Sequence, residues 1–307
     1  MGDGTSSGGG PPALSCSALA PTCGPTGTSL CCESSLVPGG TFYRSYDVAD
    51  DRRYKSMADP ATVSDFRLDT YEVTVGRFRQ FVDAGLGTQY NPPPPGAGAR
   101  TLNGMANQGG WDPTWNTSLT ADTAALVAAV KCDPMFQSWT DTAGANESLP
   151  MNCITWFEAM AFCAWDGGFL PTEAEWNYAA AGGSEQRAYP WSNPASLLVI
   201  DCSYANYYAC VNPPNGSVNR VGSESPKGDG RWGQADLGGN VYEWLLDWDT
   251  SLYINPCNDC AQMTASTARE VRGGPFEYAD IYLRTARRTG HTLDFRDYDV
   301  GMRCARL

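Results

Sequence analysis

Gly238-Gly239-Asn240-Val241-Tyr242-Glu243-Trp244 is the stretch of this 307-residue chain whose reading decides the fold. Two glycines and an asparagine specify a tight turn, because all three tolerate the left-handed backbone region. The apolar and aromatic run that follows, to Leu246, reads as a strand. Working upstream, Thr172-x-x-Glu175 after Pro171 is a capping box that predicts a helix to about Ala181. Thr155-x-x-Glu158 predicts another through Trp165, stopped by Gly167-Gly168. Thr74 caps a third, with Val75, Phe78, Phe81 and Val82 at helical spacing and Gly85 as its stop. Val37 to Tyr43 reads as a turn into a strand, and Val63 to Leu68 alternates as one half-buried strand. Downstream, Val271-Arg272-Gly273-Gly274 precedes a further expected strand, and the chain ends on Gly301-Met302-Arg303-Cys304-Ala305-Arg306. Residues 87–120, with four prolines at 92–95 and Trp111 and Trp115, and residues 189–235 read as long loops. The expectation is an α+β domain with few helices, much irregular structure and no internal repeats.

Composition limits the function classes. The net charge is −13, charged residues make up 18%, and no Lys/Arg run occurs, so a nucleic-acid or anionic-membrane partner is excluded on electrostatic grounds. The apolar fraction of 42% supports a real core. No apolar run of about 18 residues is present, so no membrane span is expected. Residues 1–15, rich in Gly and Ser, read as a flexible tether; residues 16–35 form a Cys-rich segment; residues 36–307 form the main domain.

Twelve Cys stand against one His, His291. Disulfides outside the cytosol and thiolate-bound metal inside it compete as explanations. Zinc sites bring two Cys-x-x-Cys knuckles or added His. The chain has one such pair, Cys257 and Cys260, so disulfides are the better reading and place the protein outside the reducing cytosol. Adjacent Cys31 and Cys32 are expected to pair elsewhere because of ring strain. Local pairing of Cys202 with Cys210 and of Cys132 with Cys153 is expected. Asn255-Pro256 places Cys257 and Cys260 in a loop, so a structural bridge is favoured there over a redox-active dithiol.

Five motifs now stand in order: Asp69-x-x-Glu72-Val73-Thr74, Leu170-Pro171-Thr172-Glu173-Ala174-Glu175-Trp176, Gly239-Asn240-Val241-Tyr242-Glu243-Trp244, Arg272-Gly273-Gly274 and Gly301-x-Arg303-Cys304. Together, over about residues 36–307, they resemble the formylglycine-generating enzyme (sulfatase-modifying factor) family. The resemblance implies a C-type-lectin-like core with large insertions and little regular secondary structure. It implies a disulfide between Cys163 and Cys304. In the family's true oxidases, two Cys five residues apart bind copper(I) shortly after Arg-Gly-Gly and oxidise a substrate Cys to formylglycine, soft thiolates being suited to Cu(I). Those positions fall on Tyr278 and Leu283, and no Cys lies between Cys260 and Cys304. The Ser after Gly-Gly is Pro275, and an Asn near the family's active site aligns with Asp299. Copper is therefore not expected, and no catalytic residue of the family is retained. One His is too few for a facial iron triad.

The resemblance also implies calcium. Asp236, Gly239, Val241 and Glu243 match a family site of two carboxylates and two backbone carbonyls, the hard oxygen ligands Ca²⁺ selects. Asn206 and the carbonyl of Tyr207 resemble part of a second site, whose other ligands fall near Asn215. The N-terminal tether resembles the segment after the lipid-modified Cys of bacterial lipoproteins, which implies a bacterial, extracytoplasmic protein with an export signal and a lipid anchor on the native N-terminus. Two function classes follow. One is a disulfide- and calcium-stapled scaffold that binds a protein, peptide or glycan ligand through Tyr278, Tyr282, Arg284, Arg287, His291 and Asp299, Tyr and Arg being the residue types that make hot spots. The other is an enzyme of altered, copper-independent chemistry in which Asp299 acts with Arg287 or His291.

Overall fold

The structure, a computed structural model, describes residues 13–17, 19, 20, 22–49, 53–210 and 216–307. Its strands are β1 (Ser34–Val37), β2 (Gly40–Tyr43), β3 (Pro60–Val63), β4 (Phe66–Asp69), β5 (Arg100–Leu102), β6 (Met105–Gln108), β7 (Tyr242–Trp248), β8 (Cys257–Asn258), β9 (Arg269–Arg272), β10 (Thr289–His291), β11 (Val300–Gly301) and β12 (Ala305–Arg306). Its α-helices are α1 (Val75–Asp83), α2 (Thr123–Ala129), α3 (Trp156–Trp165) and α4 (Glu173–Ala180). The expected α+β fold with sparse regular structure holds.

The three foreseen helices form because their first turns are satisfied locally. Thr155 and Thr172 each accept from the backbone N–H of the third helical residue, and Glu158 and Glu175 reach back to the cap N–H, at 2.9 and 2.8 Å. Thr74 caps α1 through the N–H of Arg77. Such caps contribute about 1 kcal/mol each. The expected single strand from Val63 to Leu68 is instead two, β3 and β4. The turn between them is held from a distance: Asp259 accepts from Ser64 at 2.6 Å, and Asp65 accepts from Gly39 N–H at 2.7 Å. The strand expected after Gly273-Gly274 is likewise corrected. The strand is β9 itself, and it ends at Arg272 because Gly273 and Gly274 have positive φ.

The central sheet runs in the order β10-β9-β7-β11, antiparallel except for the β7·β11 pair. A second sheet places β4 between β1 and the C-terminal β12, so both ends of the domain meet on one strand. β1 also runs across the 35/36 division expected from composition. Phe78, Phe81 and Phe162 pack together between α1 and α3, and α3 packs on β7 through Trp156, whose Nε1 donates to the Leu245 carbonyl at 2.8 Å. A buried ion cluster ties the termini. Arg77 donates to Asp69 at 2.8 Å and to Asp166 at 2.6 Å, and Arg306 reaches the same two carboxylates. Ser15, assigned to the tether by composition, is fully buried there, its N–H on Asp166 at 2.7 Å.

All twelve cysteines are paired: Cys16–Cys32, Cys23–Cys31, Cys132–Cys153, Cys163–Cys304, Cys202–Cys210 and Cys257–Cys260. The adjacent pair Cys31 and Cys32 splits as expected, which makes the N-terminal segment a two-bridge knot. Cys163–Cys304 joins α3 to the strand-bearing C-terminus. Among the described residues, no helix is long and apolar enough to cross a membrane.

Candidate functional site

The segment after β9 folds back on the central sheet. Gly274 permits this: its φ is 75°, and a Cβ there would lie 2.7 Å from the Tyr282 carbonyl. The return brings Tyr278 edge-on to Tyr242 of β7, with ring centroids 5.7 Å apart, and edge-on to Tyr282 at 5.1 Å. Asp299 enters from the other side, immediately before β11, where Tyr242 N–H donates to its carbonyl at 2.8 Å. Arg287 lies over Tyr282 at 5.9 Å and over Tyr54 at 5.0 Å. The structure therefore groups Tyr278, Tyr282, Arg287 and Asp299 around Tyr242, a residue that the sequence marks only as part of the turn motif, and this group is the candidate cleft.

Three candidate residues have other contacts. Arg284 is bound to Asp47 at 2.8 Å. Leu283, at the second copper position, is buried with Tyr189 and Ala205. His291 stacks flat on Phe295 at 4.1 Å and meets Tyr242 and Trp244 edge-on. Burial lowers the His291 pKa, favouring the neutral ring, and its Nε2 has no hydrogen-bond partner among the described residues.

Asp299 is the chemically distinctive group. It is 6% exposed and its Oδ1 finds no partner among the described residues. Burial first, then the charges of Asp297 and Glu277, push its carboxyl up to about 7. Beside the cleft, past Tyr54, a cavity of about 650 Å³ opens between Arg44, Tyr253, Arg288 and Asp249. No sequence motif marked it, because its walls come from segments some 200 residues apart.

The turn at Gly239 is where the family resemblance implies a calcium site. Gly239 (φ 103°), Asn240 (φ 63°) and Asp236 (φ 58°) all adopt left-handed backbone, and a Cβ on Gly239 would lie 2.5 Å from the Asn206 carbonyl. Asn240 fastens the turn, donating to Glu72 at 2.7 Å while its own side-chain oxygen accepts from Asn219 N–H at 2.8 Å. The charge environment suits a cation. Glu72 is pushed well above the usual carboxylate range by burial and by Asp236 and Glu243, and Asp236 is pushed up to about 7 by burial and Glu224. Arg303 offsets this only in part. It takes both oxygens of Glu243 at 2.8 Å, and Trp176 Nε1 donates to one of them at 2.7 Å, so Glu243 would share its oxygens with any metal. Asp236 accepts from Gly222 N–H at 2.6 Å. Asp236, the Gly239 and Val241 carbonyls and Glu243 are the hard oxygen donors that would hold Ca²⁺, while among the described residues no group of three or more His, Cys, Asp or Glu is placed to hold a metal ion. At the second expected site, Asn206 donates to the Ser217 carbonyl at 2.9 Å, the Tyr207 carbonyl accepts from Cys210 N–H at 2.8 Å, and Asn215 lies outside the described residues.

Comparison with known proteins agrees with this architecture. The chain is 29% identical over 298 residues to a formylglycine-generating enzyme of Thermomonospora curvata, covering 88% of this chain and 91% of the relative. It is 26% identical over 284 residues to the inactive C-alpha-formylglycine-generating enzyme 2 of Bos taurus, covering 88% and 86%. The solved structure of PvdO from Pseudomonas aeruginosa superposes with a TM-score of 0.59 at 20% identity, covering 88% of this chain and 92% of that one. The family model of the sulfatase-modifying factor enzyme 1-like domain matches residues 21–307, and the chain belongs to that family.

Proposed function

We propose that this protein is an exported, disulfide- and calcium-stabilised scaffold of the formylglycine-generating enzyme family that binds a protein, peptide or glycan ligand without copper-dependent oxidation of cysteine. The observation that carries this reading is the pair of positions where copper would need thiolates. Tyr278 there lies against two other rings, Leu283 is buried among apolar neighbours, and every cysteine of the chain is spent in a disulfide. Neither side chain offers a soft ligand. A relative carrying the word inactive in its name is consistent with such loss within the family. Six disulfides support a location outside the reducing cytosol, and a lipid anchor on the native N-terminus is part of the same proposal.

Calcium belongs to the proposal because buried carboxylates at Glu72, Asp236 and Glu243 outnumber the one guanidinium of Arg303 among them. Asp299, whose Oδ1 has no partner among the described residues, favours a second reading, an enzyme using that carboxyl as a proton acceptor. Metal analysis together with ligand capture tests the set. Calcium without copper, and a ligand whose retention falls on Tyr278→Ala or Tyr282→Ala, supports the scaffold. Turnover of a ligand that stops with Asp299→Asn supports the enzyme.

A further inference from the structure

The cleft is anionic as well as aromatic, and this points to the class of ligand it takes. Asp299 Oδ1 is buried without a donor among the described residues, a costly state for a carboxylate. Glu277 and Asp297 add negative charge around it. Tyr298, which could have donated to Asp299, gives its hydroxyl to Glu277 at 2.9 Å. Nearby guanidiniums are committed elsewhere: Arg296 to Glu158 and the Cys153 carbonyl, Arg284 to Asp47. Arg287 lies out over the Tyr54 and Tyr282 rings, and Tyr282 is 43% exposed. An anionic ligand would deepen the deficit, and a neutral acceptor would leave Asp299 unpaired. A group that brings N–H donors and positive charge meets both needs, and tyrosine ring faces attract such a group further.

We propose that this cleft binds an organic ammonium group, with Asp299 as its acceptor, Glu277 and Asp297 as flanking charge, and the rings of Tyr242 and Tyr278 as its wall. The proposal rests on the reading of the cleft as a ligand site and specifies the ligand's chemistry. The net charge of −13 favours the approach of a cation to this surface. The ammonium has two sources, a free small amine or a lysine side chain on another protein.

Isothermal titration of the full chain at low salt and about pH 8 distinguishes them. Putrescine serves as the free amine and Nα-acetyl-lysine methylamide as the side chain, with methyl β-glucoside and acetate as neutral and anionic probes. Saturable binding of an ammonium probe is expected, with the tighter of the two identifying the source. Asp299→Asn should weaken it roughly 10- to 100-fold, the loss of a charge-assisted acceptor. Glu277→Gln, on the half-buried rim, should weaken it a few-fold without disturbing the fold. Absence of ammonium binding, or equal binding by both variants and the parent, overturns the proposal. Saturation by the glucoside or acetate alone overturns it too but leaves the scaffold reading intact, whereas stoichiometric copper in the same preparation sinks that reading itself.

Discussion

Replacing Asp299 by Asn should make the protein more stable, by an amount that grows with pH. Burial and the neighbouring Asp297 and Glu277 raise this carboxyl from 3.8 to about 7 in the folded chain. A raised carboxylate pKa works against folding. The unfolded chain gives up the proton first, so the penalty is absent below the unfolded pKa, accumulates as pH rises between the two values, and is complete above the folded one. The difference between the two values corresponds to a ceiling of about 4 kcal/mol at pH 8, of which only about 1.6 kcal/mol is present at pH 5. Asn carries no charge and escapes the whole penalty, while its unmet amide costs about 1 kcal/mol at either pH. The variant should therefore exceed the parent by about 2–3 kcal/mol at pH 8 and stand close to it at pH 5. Other raised carboxylates, among them Asp236 and Glu270, are common to both proteins and cancel. Urea unfolding followed by tryptophan fluorescence at the two pH values measures the difference, provided both transitions are two-state. A stability difference independent of pH, or a variant weaker than the parent at pH 8, would refute the reasoning that Asp299 is buried without compensation.

Three other outcomes follow from the packing. Cys163→Ala with Cys304→Ala opens a loop closed across 141 residues, which in the chain-entropy model costs about 5 kcal/mol and should appear as a large fall in the urea midpoint with both sites still filled by apolar side chains. Glu243→Gln leaves Arg303 charged at 0% exposure with its main partner gone, so a loss of about 3–5 kcal/mol is expected in the same assay, and a loss below 1 kcal/mol would show that Arg303 finds another acceptor. Removing calcium with a chelator should lower the thermal midpoint by about 5 °C or more, with Ca²⁺ but not Mg²⁺ restoring it; an unchanged midpoint removes calcium from the account.

Local chemistry was readable from the sequence, and long-range pairing was not. The helices capped by Thr74, Thr155 and Thr172 end their orphan N–H groups within three residues, so their signals are self-contained. The disulfides Cys202–Cys210 and Cys132–Cys153 close short loops and were foreseeable for the same reason, whereas Cys163–Cys304 needed the family resemblance. The break between β3 and β4 escaped notice because Asp259, almost 200 residues away, holds the turn. Helix α2, capped by Asp122, carries no reciprocal Glu or Gln and begins just beyond the 87–120 loop, where no sequence motif marks it. At the site, Asp299 and the tyrosines were legible as positions. The lack of a donor to Asp299 Oδ1 among the described residues, the commitment of Arg284 to Asp47 and the packing of His291 on Phe295 depend on what other segments bring to the site. Tyr242 was hidden in plain view, since its place in the turn motif gave no hint that its ring forms a wall.

The central claim is that the copper-oxidase chemistry of the family has been replaced by binding. The most direct test loads the purified protein with Cu(I) under reducing conditions that spare its disulfides, measures bound copper, and incubates it with oxygen and a cysteine-containing peptide of the sulfatase type. With Tyr278 and Leu283 where thiolates would be required, no stoichiometric copper and no conversion of the peptide cysteine to formylglycine are expected. One equivalent of tightly held copper, with aldehyde formed on the peptide, would contradict the account.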